Sequence, residues 1–380
     1  MKKFTLILAT VALLAAGCSK TEVVGPQNGK GINFAAYTAK TTKALQKDVT
    51  TANLSEFKVT AFGNRAVYFD DVTFEKHTTN NITVWESATK YFWPAFPLTF
   101  CAYNTPIVYN NPDDPDKLAK ITGFARTITT TTQELEVSPA AELAYQQDLV
   151  AAYAADKRAS DAVNTNHSLS LTFNHYLTQV TVKATNENST YQVVVDGVKI
   201  ANMVGHGKYT FSENKMTAAP GYTNTAVYTA TFDGKKLTSV AQEVMTNAGT
   251  GKWYLIPQTV TSWNPGTDYP NTNPSHGTYL ALKVKITANS GALKIYPATG
   301  ENSGWMAVPI PSGLKFEQGK KYTVNINFFA NNGAGYVDPE AGSDLDGDEV
   351  ANDNGKKISG EIKFNATVDP WGNNDIEIDL

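Results

Sequence analysis

The chain has 380 residues, a formal net charge of −4 and 18% charged side chains. No basic block is present that could hold nucleic acid, and a mature length of roughly 360 residues is too great for one ordinary core, so two domains are expected. With 18 Tyr and 17 Phe against ordinary Gly and Pro, the composition suits strands better than helices and excludes a low-complexity chain.

Lys2 and Lys3 precede an apolar run from Phe4 to Ala16, which ends in Ala15-Ala16-Gly17-Cys18. This is the pattern of a secretory signal with a lipoprotein-type cleavage site. The run is too short to span a bilayer. The leucine usual three places before the cysteine is Ala15 here, with Leu14 one place earlier. Residues 1–17 are then a signal peptide. The mature chain begins at Cys18, carries lipid such as palmitate there and sits on a bacterial outer membrane. The other reading is an ordinary secretory leader with a chance cysteine. Residues 18–30 are polar and read as a tether. The second cysteine, Cys101, lies in the strand-like Leu98 to Tyr103 and is expected to be a small buried hydrophobe without a disulfide partner.

Beyond the tether, Ile32, Phe34 and Ala36 alternate with Asn33 and Ala35 and begin a strand. Thr38 to Asp48 shows no clear period. Phe57, Val59 and Ala61 alternate again, and Thr83–Trp85 and Leu98–Tyr103 read as further strands. Between these lies Tyr91-Phe92-Trp93-Pro94-Ala95-Phe96-Pro97, too rich in proline for a regular helix. It is either an aromatic platform for a ligand such as a sugar or, as the lack of accompanying polar groups favours, a loop that plugs the end of a sandwich. Glu134 to Val150 mixes helix formers with a short apolar run, and Asp148–Tyr153 looks like a strand.

Ala154 to Ser168 is small and polar and marks the expected domain boundary: an N-terminal unit over 31–157 and a C-terminal one over 158–380. Leu169, Leu171, Phe173, His175 and Leu177 share one parity, and Val180 and Val182 the other, which predicts a bulge near Tyr176–Gln179. His175 points with the apolar set and is expected to be a core histidine held by a backbone partner. Strands are predicted at Tyr191–Val195, Tyr209–Phe211, Ala226–Phe232, Trp253–Pro257, Tyr279–Ile286, Leu293–Tyr296 and Tyr322–Phe329, separated by turns such as Asp196-Gly197 and Asp233-Gly234. This pattern argues for an all-β chain of antiparallel sandwiches. A polar loop over 332–357 leads to a terminal strand over 358–371. There Ile358, Ile362, Phe364, Ala366 and Val368 share one face, and Glu361, Lys363, Asn365 and Thr367 the other.

Catalytic signatures are missing. The five histidines never fall in a metal spacing, and no nucleophile elbow, metalloprotease helix or dinucleotide loop occurs, so an enzyme is not expected. Asp344, Asp346 and Asp348 alternate in Asp344-Leu345-Asp346-Gly347-Asp348-Glu349, with Asp353 following. Alternate carboxylates in a tight loop can converge on calcium. The second glycine and the closing acid of such loops are Glu349 and Gly355 here, and a solvated acidic linker is the plainer reading.

Six stretches in chain order resemble the fimbrillin-like proteins, the pilins of type V fimbriae. They are Tyr91 to Tyr103, Leu171-Thr172-Phe173-Asn174-His175-Tyr176-Leu177, Leu255-Ile256-Pro257-Gln258-Thr259, Gly319-Lys320-Lys321-Tyr322-Thr323-Val324, the closing Ile362 to Trp371, and the lipoprotein start. The resemblance implies two transthyretin-like β-sandwich domains and a fimbrial, adhesive and biofilm role. It also implies a lipid anchor in the outer membrane, with other pilin subunits and surface ligands of host or bacteria as partners. It implies that a trypsin-like protease removes the first strand and that a strand from another subunit fills the groove. The arginine expected after the first strand is absent. Lys43 stands at the corresponding place, and the first arginine is Arg65. The terminal strand is the candidate donor, unless it completes its own domain. A surface glycan-binding lipoprotein, using the Tyr91–Phe96 aromatics, is the rival reading.

Overall fold

The computed structural model describes residues 31–38, 48–106, 123–162, 168–219, 224–246, 251–264, 277–288, 293–297, 303–329, 335–337, 363–370 and 376–378. Cys18, Lys43, the acidic run Asp344–Asp353, Ile358 and Ile362 lie outside them. In chain order the first strands are β1 Phe34–Thr38, β2 Glu56–Gly63, β3 Ala66–Thr79, β4 Ile82–Glu86, β5 Leu98–Tyr103, β6 Gly123–Ile128, β7 Gln133–Ser138, β8 Val150–Lys157 and β9 Leu169–His175. Next come β10 Thr178–Asn186, β11 Tyr191–Val204, β12 Gly207–Thr210, β13 Lys215–Ala218, β14 Asn224–Lys236, β15 Gln242–Glu243, β16 Trp253–Leu255, β17 Gln258–Thr259 and β18 Tyr279–Ala288. The last are β19 Lys294–Tyr296, β20 Gly304–Pro309, β21 Lys315–Phe316, β22 Lys320–Phe328, β23 Tyr336–Val337, β24 Lys363–Pro370 and β25 Ile376–Ile378.

The all-β, sheet-on-sheet expectation holds. Seven strands close a barrel in the order β1-β4-β3-β2-β5-β8-β9. Its closing pair is parallel, β1 against β9, from Phe34↔Leu169 to Thr38↔Phe173. A second unit packs two sheets face to face. One runs β15-β10-β22-β24-β25 with β16 beside β10; the other runs β14-β11-β18-β20-β23. Their facing residues form one core, including Val182, Val195, Ile200, Leu282, Val284, Val324 and Ile326. A four-stranded sheet, β13-β12-β7-β6, joins the halves, with β7 from before and β12 from after the crossing between units.

That crossing comes at Tyr176–Leu177, between β9 in the barrel and β10 in the second unit. It lies beyond the Ala154–Ser168 stretch where composition alone places the boundary, and β9 shares the barrel core through Leu169, Leu171 and Phe173. The parity slip read as a bulge is this passage: one strand ends and another begins in a different sheet. Glu134–Val150 contains no regular helix, only β7, the start of β8 and a short 3-10 turn at Leu143–Tyr145.

The barrel core is aromatic, and Phe34 of β1 sits in its middle. Its ring lies 4.8 Å from Phe74, 5.3 Å from Phe100 and 6.0 Å from Phe57 between centroids. It is wholly buried, as are Phe57, Phe74, Phe100 and Phe173. Truncating such a side chain costs the transfer term and leaves a cavity, about 3–5 kcal/mol in all. Phe34→Ala is therefore expected to lower barrel stability by about 3–5 kcal/mol in denaturant unfolding; a loss under about 1 kcal/mol would mean that the barrel does not lean on this ring.

Candidate functional site: the first strand and the residues that follow it

β1 is held asymmetrically. On one side it has five parallel register pairs with β9, and on the other a single pair with β4, Phe34↔Trp85. Just before it, the Ile32 N–H donates to the Tyr91 carbonyl (2.8 Å) and the Leu169 N–H to the Asn33 carbonyl (2.9 Å). The chain enters beside the aromatic loop, where Gly31 bridges Phe92. Ile32, Phe34 and Ala36 are 2%, 0% and 2% exposed. The five-residue strand and the residue two places before it thus supply three inserted side chains to a barrel that pairs with the strand mainly along one edge.

The aromatic loop is a plug. Trp93 is buried and packs edge-on to Phe100 (5.6 Å), Tyr91 lies 4.6 Å from Phe69, and the Tyr68 hydroxyl donates to the Phe92 carbonyl (2.6 Å). Trp93 is turned fully into the core, while Tyr91, Phe92 and Phe96 are half-buried around it. Cys101 is buried and free, and burial pushes its thiol pKa up.

Arg65 sits at the tip of the β2–β3 hairpin, with Asn64 and Arg65 both left-handed (φ 50° and 62°) and Gly63 paired to Ala66. A cut there would separate β2, which lies between β3 and β5 in the barrel, from the rest of the chain. Lys43 belongs to the segment between β1 and Asp48, outside the described residues.

Asp48 is the first described residue after β1, and no pattern in the sequence points to it. Its carboxylate is fully buried. One oxygen accepts from the Tyr254 hydroxyl and the Gln179 amide, both at 2.6 Å; the other accepts from Lys252 (2.9 Å) and Lys321 (3.2 Å). The next residue, Val49, donates its N–H to Asp148 (2.6 Å), and Asp148 also bonds His175 Nδ1 (3.0 Å). The buried His175 is thus held by a carboxylate, where a backbone partner was expected. Gln146 extends the network by accepting from the Tyr254 N–H (2.5 Å). Burial pushes the Asp48 pKa up. The Tyr254 hydroxyl and the ammoniums of Lys252 and Lys321 outweigh it and hold the carboxyl below its ordinary value.

The terminal strand is paired within its own chain. β24 runs antiparallel to β22, with Phe364, Ala366 and Val368 opposite Ile326, Val324 and Tyr322, and β25 adds outside it. Among the described residues no group of three or more His, Cys, Asp or Glu could hold a metal, and no helix is long and apolar enough to cross a membrane.

The model of the fimbrillin-like family matches residues 21–371. The chain belongs to the fimbrillin-like family. A fimbrial protein from Bacteroides vulgatus has a similar fold: the TM-score is 0.52 at 13% identity, over 90% of this chain and 99% of that one. A fimbrillin from Porphyromonas gingivalis aligns over 90% of this chain and 97% of its own, at 12% identity and a TM-score of 0.45. No curated protein sequence matches the chain.

In this fimbrillin-like chain the lowered Asp48 pKa has a pH consequence. A carboxyl depressed on folding contributes stability that is complete above its unfolded pKa and is lost as pH falls through the folded value. The charged groups that face the carboxylate are Lys252 and Lys321. The stability difference between wild type and Asp48→Asn, read from urea midpoints, should be largest near neutrality and shrink steadily below about pH 4. A gap independent of pH would show that the charge is not what matters.

Proposed function

We propose that this chain is a structural, adhesive subunit of a bacterial surface fimbria, held at the outer membrane by lipid on Cys18 until processing and then assembled by exchange of its first strand, the lipid leaving with that strand. The carrying observation joins sequence to burial. The three inserted side chains of the first strand are Ile32, Phe34 and Ala36, at alternate positions. The terminal strand repeats the same three residues in the same order and spacing, Ile362, Phe364 and Ala366. A replacement strand must fill the same pockets in the same register, and this chain carries one with a matching side-chain set.

The weak β1–β4 side supports the same reading, since one register pair must open there. So does reach: the 25 residues from 338 to 362 extend up to about 80 Å, enough for β24 to leave β22 and enter another molecule. Processing on the Lys43 side of Asp48 removes β1 and leaves β2 in place, whereas processing at Arg65 would remove both. We therefore assign the cut to Lys43.

The test uses a chain that begins at Ala44 and a synthetic peptide of residues 358–371. The peptide should bind and raise the melting temperature of the shortened subunit, while the Phe364→Asp peptide should bind at least tenfold more weakly. Equal effects of the two peptides, or no binding by either, would contradict strand exchange. If the shortened chain does not fold, the full chain is folded first and then cut with a lysine-specific protease.

A further inference from the structure

The Asp48 network holds more than one chain segment together. The carboxylate has about four lone-pair sites, and four donors fill them: Tyr254, Gln179, Lys252 and Lys321. None of these donors belongs to the barrel. Gln179 is on β10, Tyr254 on β16 and Lys321 on β22, with Lys252 just ahead of β16. Gln179 is the register partner of both Tyr254 and Lys321, and Lys321 is the partner of Asp369 on β24. Asp48 thus docks on one row that crosses β16, β10 and β22 and ends at the terminal strand.

The residues after Asp48 are tied down in turn. Asn53 donates its side-chain amide to the Asp48 carbonyl (2.8 Å), the Leu54 N–H donates to the Thr50 carbonyl (2.8 Å), and the Trp85 indole donates to the Leu54 carbonyl (3.1 Å). Upstream, β1 is bound differently, by apolar insertion into the barrel and a parallel ladder to β9. The two attachments rest on different forces and meet at one point, where the Thr38 N–H donates to Thr51 Oγ1 and the Thr51 N–H to Thr38 Oγ1, both at 2.9 Å. A groove-filling strand can be withdrawn without touching any of the four donors to Asp48.

We infer that Asp48 is a pin that ends the exchangeable N-terminal segment: the chain before it can leave the barrel, while Asp48 stays fixed to the sheet that carries the terminal strand and holds the residues just after it in place. This deepens the strand-exchange reading by setting a limit on what is removed. Its partner is the second unit of the same chain, so the pin is tested on isolated subunits, and a failure of polymer formation does not bear on it.

Hydrogen exchange followed by mass spectrometry on the full chain and on the chain from Ala44 is the test. Amides of residues 49, 50 and 52–55 should keep the same protection in both, within about threefold; Thr51, whose N–H donates to Thr38 Oγ1 on β1, should lose its own. Asp48→Asn in the full chain should speed their exchange at least tenfold, because an amide cannot accept from four donors and two ammoniums lose their counter-charge. The protection of β5 should be unchanged. Lys321→Met, which leaves Lys252 in place, should give a smaller increase. It serves as the second variant if Asp48→Asn does not fold. Digestion with a lysine-specific protease should yield a stable wild-type core that begins at Ala44 or Asp48. Loss of protection at 49, 50 and 52–55 on removing β1 alone would overturn the inference. So would full protection retained in both Asp48 and Lys321 variants.

Discussion

The barrel closes on a strand of five residues, and most of what the chain can do follows from that. β1 is the only described strand that touches both β4 and β9, so the barrel has no edge while β1 is present and two when it is not. An open edge is a row of unpaired backbone donors and acceptors next to an exposed apolar trough, and it drives pairing with another strand. Phe34 sets the depth of that trough, since its ring touches aromatic side chains from β2, β3 and β5 at once. In the proposed exchange, the same side chain that stabilises the closed subunit defines the pocket an incoming strand must fill.

Fixing the rest of the chain is the complementary requirement. A barrel that loses a strand would loosen unless its remaining segments are held from outside. The four-stranded sheet shared between the halves does part of this through the pairing of β7 with β12. The Asp48 network does another part, through charge and hydrogen bonds. A buried ion pair adds little net stability over an apolar contact, but it is directional, which suits a fixed point beside the segment proposed to leave.

Much of this was legible from residues alone. Ile32-x-Phe34-x-Ala36 and Phe57-x-Val59-x-Ala61 have a clean period of two in the sequence, and each named residue is buried; the closing strand shows the same period. β3 was not legible. Its buried Phe69 and Phe74 are five apart, and the left-handed Asp71 between them shifts the parity. β20 was hidden for the opposite reason: Met306, Ala307 and Val308 are all buried, so no alternation shows. Asp48 lay at the end of a Thr, Lys and Ala-rich stretch with no period, and its partners are 131 to 273 residues away. No local pattern can announce such a contact. The matching Ile, Phe and Ala sets, by contrast, stand in the sequence, and only the burial of the first set gives them meaning.

The most direct measurement of the account is the N-terminal sequence of this subunit recovered from fibres sheared off the cell surface. A start at Ala44 is predicted, with β1 gone and Asp48 retained. A start at Cys18 in polymerised subunits would mean that the first strand is never removed. A start at Ala66 would mean that β2 and Asp48 leave with it; either result would contradict the account.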